Sequence, residues 1–199
     1  MTEVQWLACS DPQALVQASF APLSVRKRWL LGFACCQRIV RLLRNRRVLH
    51  AVSVVEKLAD GSAVEDERIA ARIVVQLAYD GASKPTHQRA TAVVYFALGG
   101  TTPELVRALR LTAKLGGGDA HLAELVRHLA GNPFQPPADI TPSRDVLSLT
   151  EALEGGVDNH LFLADALEES GHSALGRHFR RERRHPKGCW AVDRILGRN

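Results

Sequence analysis

The chain has 199 residues, 46% of them hydrophobic and 24% charged, with a formal net charge of +5. These values describe an ordinary globular protein with room for one sizeable core or two small ones, and they exclude a disordered or fibrous chain. No apolar run approaches the roughly 20 residues that span a bilayer, and Glu3 stands where a secretory signal would turn basic and then apolar, so neither a membrane partner nor a signal peptide is expected.

Caps, prolines and glycines divide the sequence into short helices. Asp11 or Ser10 caps the first, with Pro12 at its first position and an end near Ser19. Ser24 caps the next, which runs to about Arg44. In its stretch Trp29–Leu43 the first half is apolar on every side and is expected to be buried all round, while Gln37, Arg38, Arg41 and Arg44 form a polar stripe on the second half. This helix is expected to be the centre of the fold. After Asn45, the residues Val48, Val52, Val55 and Leu58 continue at helical spacing until Asp60-Gly61. Ser62 and Glu65 have the spacing of a capping box and open a helix carrying Ile69, Ile73, Val74 and Leu77. Lys84-Pro85-Thr86 opens another, through Val93, Tyr95 and Phe96 to Gly99-Gly100. Val93-Val94-Tyr95-Phe96 alone would suit a strand, but no other segment alternates with period two, and a lone strand has nothing to pair with.

Thr102, followed by Pro103, caps a helix with Leu105, Leu109 and Leu115. Three glycines separate it from Asp119–Ala130, where Leu122, Leu125, Val126 and Leu129 share a face and Gly131 suits a left-handed end. The stretch from Asn132 to Pro137 is too proline-rich for a helix or a central strand and reads as an extended segment anchored by Phe134. It is the one candidate boundary, at 132–140, in an otherwise single helical domain covering 1–199. Thr141-Pro142 starts a helix through Val146, Leu149 and Leu153. His160 to Gly171 follows, with apolar residues expected inward and acids outward. A basic helix from Ser173 to Arg184 is broken by His185-Pro186, and a last short one is docked by Trp190, Ile195 and Leu196. The expected fold is all-α, an irregular bundle of about ten short helices around a central buried one, with apolar side chains facing a common centre and charge facing out.

Between Asp11 and Glu56 no residue is acidic, while Arg26, Lys27, Arg28, Arg38, Arg41, Arg44, Arg46 and Arg47 all fall there. A second cluster holds Arg177, Arg180, Arg181, Arg183, Arg184 and Lys187. Such asymmetry raises nucleic acid as a partner. It is also how solvated helix faces look when basic and acidic ones pair. The basic segments lack interleaved aromatics, so any grip on nucleic acid would be on phosphates, without sequence readout.

Several phrases carry a resemblance. Trp6-Leu7-Ala8-Cys9-Ser10-Asp11-Pro12, Phe33-Ala34-Cys35-Cys36-Gln37-Arg38-Ile39 and Gly131-Asn132-Pro133-Phe134-Gln135-Pro136 come in order, followed by Leu163-Ala164-Asp165-Ala166-Leu167-Glu168-Glu169-Ser170-Gly171 and Gly188-Cys189-Trp190-Ala191-Val192-Asp193. Together they resemble an uncharacterised family of small helical proteins abundant in planctomycetes. The acidic phrase also resembles part of the short companion domains found beside repeats in those bacteria. The resemblance spans both ends of the chain but not the stretch from about Ala59 to Asp119. It implies a cytoplasmic helical accessory module and hands over no catalytic residue. The arginine-rich run at 180–184 departs from the family's usual pattern and leaves room for a charge-dependent partner.

Four cysteines, two of them adjacent, do not form a disulfide framework, and the expectation is reduced thiols in a cytoplasmic protein. A zinc site would draw on Cys9, Cys35 or Cys36, and Cys189, with His172, His178 or His185 in support. Against it, no Cys-x-x-Cys pair exists, and neighbours on a helix point about 100° apart. A nucleophilic Cys189 would need His185 beside it, and Pro186 breaks the helix that would align them. Gly116-Gly117-Gly118 lacks the strand and the Gly-Lys-Ser/Thr of a nucleotide loop. Asp165, Glu168 and Glu169 share one side of their helix, as a solvated face or as the partner of the arginines at 180–184. The first reading is therefore a non-catalytic module, with no cofactor, binding an unidentified protein through Phe134 or through Asp165, Glu168 and Glu169. The alternative is a phosphate-backbone binder using Arg41, Arg44, Arg46, Arg47, Arg180, Arg181, Arg183 and Arg184. A zinc protein or an enzyme is the third reading.

Overall fold

The computed structural model describes residues 1–18, 23–116, 119–135 and 139–198. Among them the secondary structure is entirely helical. It comprises α1 (Glu3–Ala8), α2 (Pro12–Ala18), α3 (Val25–Ile39), α4 (Arg46–Ala59), α5 (Glu65–Asp80), α6 (Pro85–Ala97), α7 (Thr102–Lys114), α8 (Asp119–Ala130), α9 (Arg144–Glu154), α10 (His160–Glu169), α11 (Ser173–Arg181) and α12 (Trp190–Ile195). Among the described residues no helix is long and apolar enough to cross a membrane. The chain divides into two compact units, Met1–Arg127 and His128–Asn199, with the division in the last turn of α8.

In unit 1, α3 is the central helix and packs against α4, α6 and α7. Ser24 caps it by accepting from the Lys27 N–H at 3.3 Å. Leu30, Leu31, Cys35, Cys36 and Ile39 are buried, whereas Trp29 and Phe33 are only half-buried, so the helix is not enclosed on every side. Gly32 lets α6 come close, since a Cβ there would lie 3.1 Å from that of Ala97. The helix ends at Ile39, earlier than its pattern suggests, and a 3-10 turn over Val40–Leu42 leads to Asn45, whose side chain caps α4.

Three expected helix starts sit elsewhere. Val64, not Ser62, precedes α5 and makes no side-chain cap, because Ser62 Oγ donates to the Lys57 carbonyl and Glu65 pairs with Arg68. Thr101 rather than Thr102 caps α7, and α9 begins at Arg144 behind its cap Ser143 rather than at Thr141-Pro142.

The larger correction concerns α5 and α10. The face of α5 turned to the core holds Ala71 and Val75, while Ile69, Ile73 and Leu77 are exposed, Leu77 by 66%. On α10, Leu163, Ala164 and Leu167 are buried, but Leu161 and Phe162 are exposed, the latter by 69%. Charge is therefore not all that faces solvent.

Unit 2 has its own core, with Val146, Leu163, Leu167, Leu175, Phe179 and Ile195 buried. Each such large side chain is worth roughly 1.5–3 kcal/mol of burial. Helix α10 packs against α9 and α11, and α12 against α9. Gly176 permits the α10–α11 approach, since a Cβ on it would meet Glu168 Cγ at 2.6 Å and the Ala164 carbonyl at 3.0 Å. Gly131 takes the expected left-handed conformation, with φ +72.

Candidate functional site

Two features stand out, one in each unit. In unit 2, α11 ends at Arg181, with the Glu182 N–H donating to the His178 carbonyl at 2.9 Å. Pro186 stops any helical continuation, and the Cys189 N–H donates to the Pro186 carbonyl at 2.9 Å, closing a turn through Gly188 at φ +83. Cys189 then precedes α12. The turn brings Cys189 Sγ to 3.2 Å from His178 Nε2 and 3.7 Å from His185 Nδ1. The proline that prevents a helical alignment of His185 and Cys189 thus belongs to the turn that joins them. Among the described residues these three form the one group of three or more close His, Cys, Asp or Glu ligand atoms, all within 4.8 Å of one another.

Aromatic rings enclose the cluster. The His178 ring lies 5.1 Å from Trp190 and 5.2 Å from Phe179, and the His185 ring lies 4.7 Å from Phe179. Cys189 is 0% exposed. Burial lowers His178 to about 3, helped by the nearby His185 and His128. Burial also lowers His185 to about 4, against a hydrogen bond to the Glu182 backbone and with His128 and His160 adding to the fall. Both imidazoles are neutral at pH 7, and each keeps one lone-pair nitrogen. His185 Nε2 is buried without a hydrogen-bond partner among the described residues. Such a set suits a metal better than nucleophilic catalysis. A cysteine nucleophile must meet its substrate, and its histidine partner works by holding a proton that this burial refuses.

The other cysteines differ. Cys35 is wholly buried on α3, and burial drives its thiol up to about 12 against a weaker opposing effect from Thr112. Cys36 is raised as well, by burial and by Cys35. Cys9 is half-buried after α1, and its Sγ donates to the Asp11 carbonyl at 3.5 Å. Neither Cys9 nor Cys35 belongs to the three-ligand group.

The acidic face of α10 is partly answered within unit 2. Arg180 bridges Asp165 and Glu168, reaching the latter at 2.8 Å, and holds the Glu168 carboxyl below its ordinary pKa. Glu169 stays exposed. Phe134 is half-buried in a turn where its N–H donates to Asn132 Oδ1 at 3.0 Å. Of the basic residues, Arg41, Arg44, Arg46 and Arg47 are exposed in unit 1, and Arg181, Arg183 and Arg184 in unit 2.

In unit 1 an open groove of about 360 Å³ runs between α4 and α5. Ala51, Val54, Ala70 and Val74 line it, with Arg46, Arg47 and His50 toward the start of α4. Ala70, Ile73, Val74 and Leu77 share one face of α5 at i, i+3, i+4 and i+7, so the groove wall continues into exposed apolar surface. Neither the Arg46 nor the Arg47 guanidinium has an ion-pair partner among the described residues, whereas Glu67 at the α5 end is held by Lys57 at 3.0 Å. The sequence showed the α5 stripe by its period but not its direction. Only Ala71 and Val75, offset from that stripe, hinted at a second, smaller face turned to the core.

Comparison with protein-family models, with curated proteins and with solved structures finds no match to this chain.

Proposed function

We propose that the chain is a cytoplasmic, non-catalytic interaction module that docks an amphipathic helix of a partner protein along the α4–α5 groove. The carrying observation is the continuous apolar face of Ala70, Ile73, Val74 and Leu77 beside that groove. Single exposed apolar residues are ordinary, but a contiguous stripe flanking a groove marks a binding surface. Arg46 and Arg47 at the start of α4, exposed and without an ion-pair partner among the described residues, stand where the helix dipole is also positive and call for carboxylates at the corresponding end of the partner helix. Helix-in-groove recognition uses this pattern of spaced apolar anchors. Cysteines free of disulfides fit a reducing compartment.

This reading relocates the contact surface from α10, where Arg180 already engages Asp165 and Glu168, to α5. The test is fluorescence anisotropy with a model helix carrying leucines at i, i+3, i+4 and i+7 and glutamates on its flanks, run beside a random-sequence oligonucleotide. Saturable peptide binding that Ile73→Asp and Val74→Glu abolish, with the circular dichroism spectrum unchanged, supports the reading. Binding of the oligonucleotide alone, lost in Arg46→Ala/Arg47→Ala and weakened steeply by salt, would overturn it in favour of phosphate-backbone binding. Absence of any peptide binding overturns it as well.

A further inference from the structure

We infer that His178, His185 and Cys189 bind one divalent zinc ion, which staples the end of α11 to the start of α12. Around a tetrahedral zinc, with bonds of about 2.3 Å to sulfur and 2.0–2.1 Å to nitrogen, a thiolate and an imidazole nitrogen lie roughly 3.5 Å apart. The Cys189 Sγ distances to His178 Nε2 and His185 Nδ1, 3.2 and 3.7 Å, straddle that value. The donors also come from three separate pieces of chain: α11, the loop after it, and the residue before α12. A cluster built only to fill a core has no reason to gather three soft donors at one point.

One thiolate and two imidazoles select zinc over magnesium or calcium, which prefer oxygen. On binding, the Cys189 thiol gives its proton to solvent and the sulfur takes the metal, while the neutral histidines donate lone pairs and release nothing. Phe179 and Trp190 wall the site with rings, which suits a structural ion. The fourth donor is His128, whose ring lies 6.3 Å from that of His178, or solvent. This inference concerns unit 2 and stands apart from the α4–α5 groove.

The experiment titrates cobalt(II) into the full chain after chelator treatment. Expected are one cobalt per chain, a thiolate-to-cobalt charge-transfer band, intense visible bands of tetrahedral geometry, and loss of all three on adding zinc. Cys189→Ser should abolish the charge-transfer band, and His178→Gln or His185→Gln should weaken binding by about a hundredfold or more, while Cys35→Ser and Cys9→Ser leave the spectrum unchanged. His128→Ala separates a protein donor, which weakens binding, from solvent, which does not. Should Cys189→Ser misfold, the native chain decides: zinc should raise its thermal midpoint in a concentration-dependent way, and Cys9→Ser and Cys35→Ser should keep both that rise and the charge-transfer band. No charge-transfer band, a band that survives Cys189→Ser, or a thermal midpoint indifferent to zinc each overturns the inference.

Discussion

Cys35 in unit 1 and Cys189 in unit 2 are both wholly buried, but their neighbours differ in kind. Cys35 shares the buried face of α3 with Leu31 and Ile39, and burial, against a weaker opposing effect from Thr112, pushes its thiol to about 12. It is a small apolar filler. Cys189 faces two imidazole nitrogens inside 4 Å. The depth of a thiol therefore says little about its chemistry, and what it faces says nearly everything. The same contrast separates the units themselves. Unit 1 carries an apolar groove at its surface, with Arg46 and Arg47 at one end. Unit 2 gathers two histidines and a cysteine against buried rings, and pairs part of its surface charge, Arg180 with Asp165 and Glu168 and Arg198 with Glu154 at 2.6 Å, while Arg181, Arg183 and Arg184 stay exposed.

The sharpest way to break this contrast is to open each core in turn. Phe179→Ala should cost about 3–5 kcal/mol, as large aromatic truncations do. Because that ring abuts both His178 and His185, the cobalt spectrum should vanish with it. Leu31→Ala, in the core of unit 1, should cost about 2–5 kcal/mol and leave the spectrum intact. Urea unfolding followed by circular dichroism, with the cobalt titration beside it, reads both. Equal loss of the spectrum in the two variants would mean that the units do not keep separate chemistry.

Acid should come next. His178 titrates at about 3 in the native chain against 6.5 for an ordinary histidine. Above pH 6.5 neither state is protonated and stability is full. As pH falls below 6.5 the unfolded chain takes up a proton that the native one refuses, so stability declines until the native ring itself protonates near 3. At about 1.4 kcal/mol per pH unit, the part of that window down to pH 4 makes the His178 loss roughly 3–4 kcal/mol, and His185 acts in the same direction. Urea midpoints measured in chelator from pH 7 to pH 4 should fall in the wild type and fall less steeply in His178→Gln, where His185 alone still resists protonation. A wild-type profile that is already flat would show the histidines to be solvated.

Much of the helical architecture was legible because it rests on local chemistry. Ser24 and Asn45 cap where side-chain oxygens can reach free N–H groups, and Pro85 and Gly131 fit helix ends by their own backbone preferences. The caps misplaced at Ser62 and Thr102 and the helix start misplaced at Thr141-Pro142 show the limit: several residues in a row can cap, and packing chooses among them. Direction was harder. A helix with Ile69, Ile73 and Leu77 on one side and Ala71 and Val75 on another has two apolar faces, and period alone does not say which meets the core. The His–Cys cluster was hardest, because Pro186 reads as a break until the turn it shapes is known to fold Cys189 back onto His178 and His185.

A smaller effect separates the two thiols again. Cys35→Ser places a hydroxyl in an apolar core, where only a local acceptor can satisfy it, and should cost about 1–3 kcal/mol. Cys35→Ala should cost less, since it leaves only a small void. Neither change should depend on zinc. Thermal midpoints with and without the metal should shift in parallel for both variants, whereas Cys189→Ser should lose the metal-dependent rise altogether. A zinc-dependent penalty at Cys35 would place it in the metal's reach and undo the distinction between filler and ligand.

The smallest expected effect lies at the surface of unit 2. Arg180 bridges two carboxylates, yet all three groups are substantially solvated, and exposed pairs contribute little to stability. Arg180→Ala should therefore lower the urea midpoint only slightly, and less still at high salt. Its larger consequence is electrostatic: Asp165 and Glu168 would join Glu169 as an unanswered acidic face beside exposed Leu161 and Phe162. If the acidic model helix bound by the α4–α5 groove is indifferent to this change, recognition belongs to unit 1 alone. If Arg180→Ala weakens that binding while stability holds, the acidic face of α10 repels or competes for the same peptide, and the division of outward chemistry between the units fails.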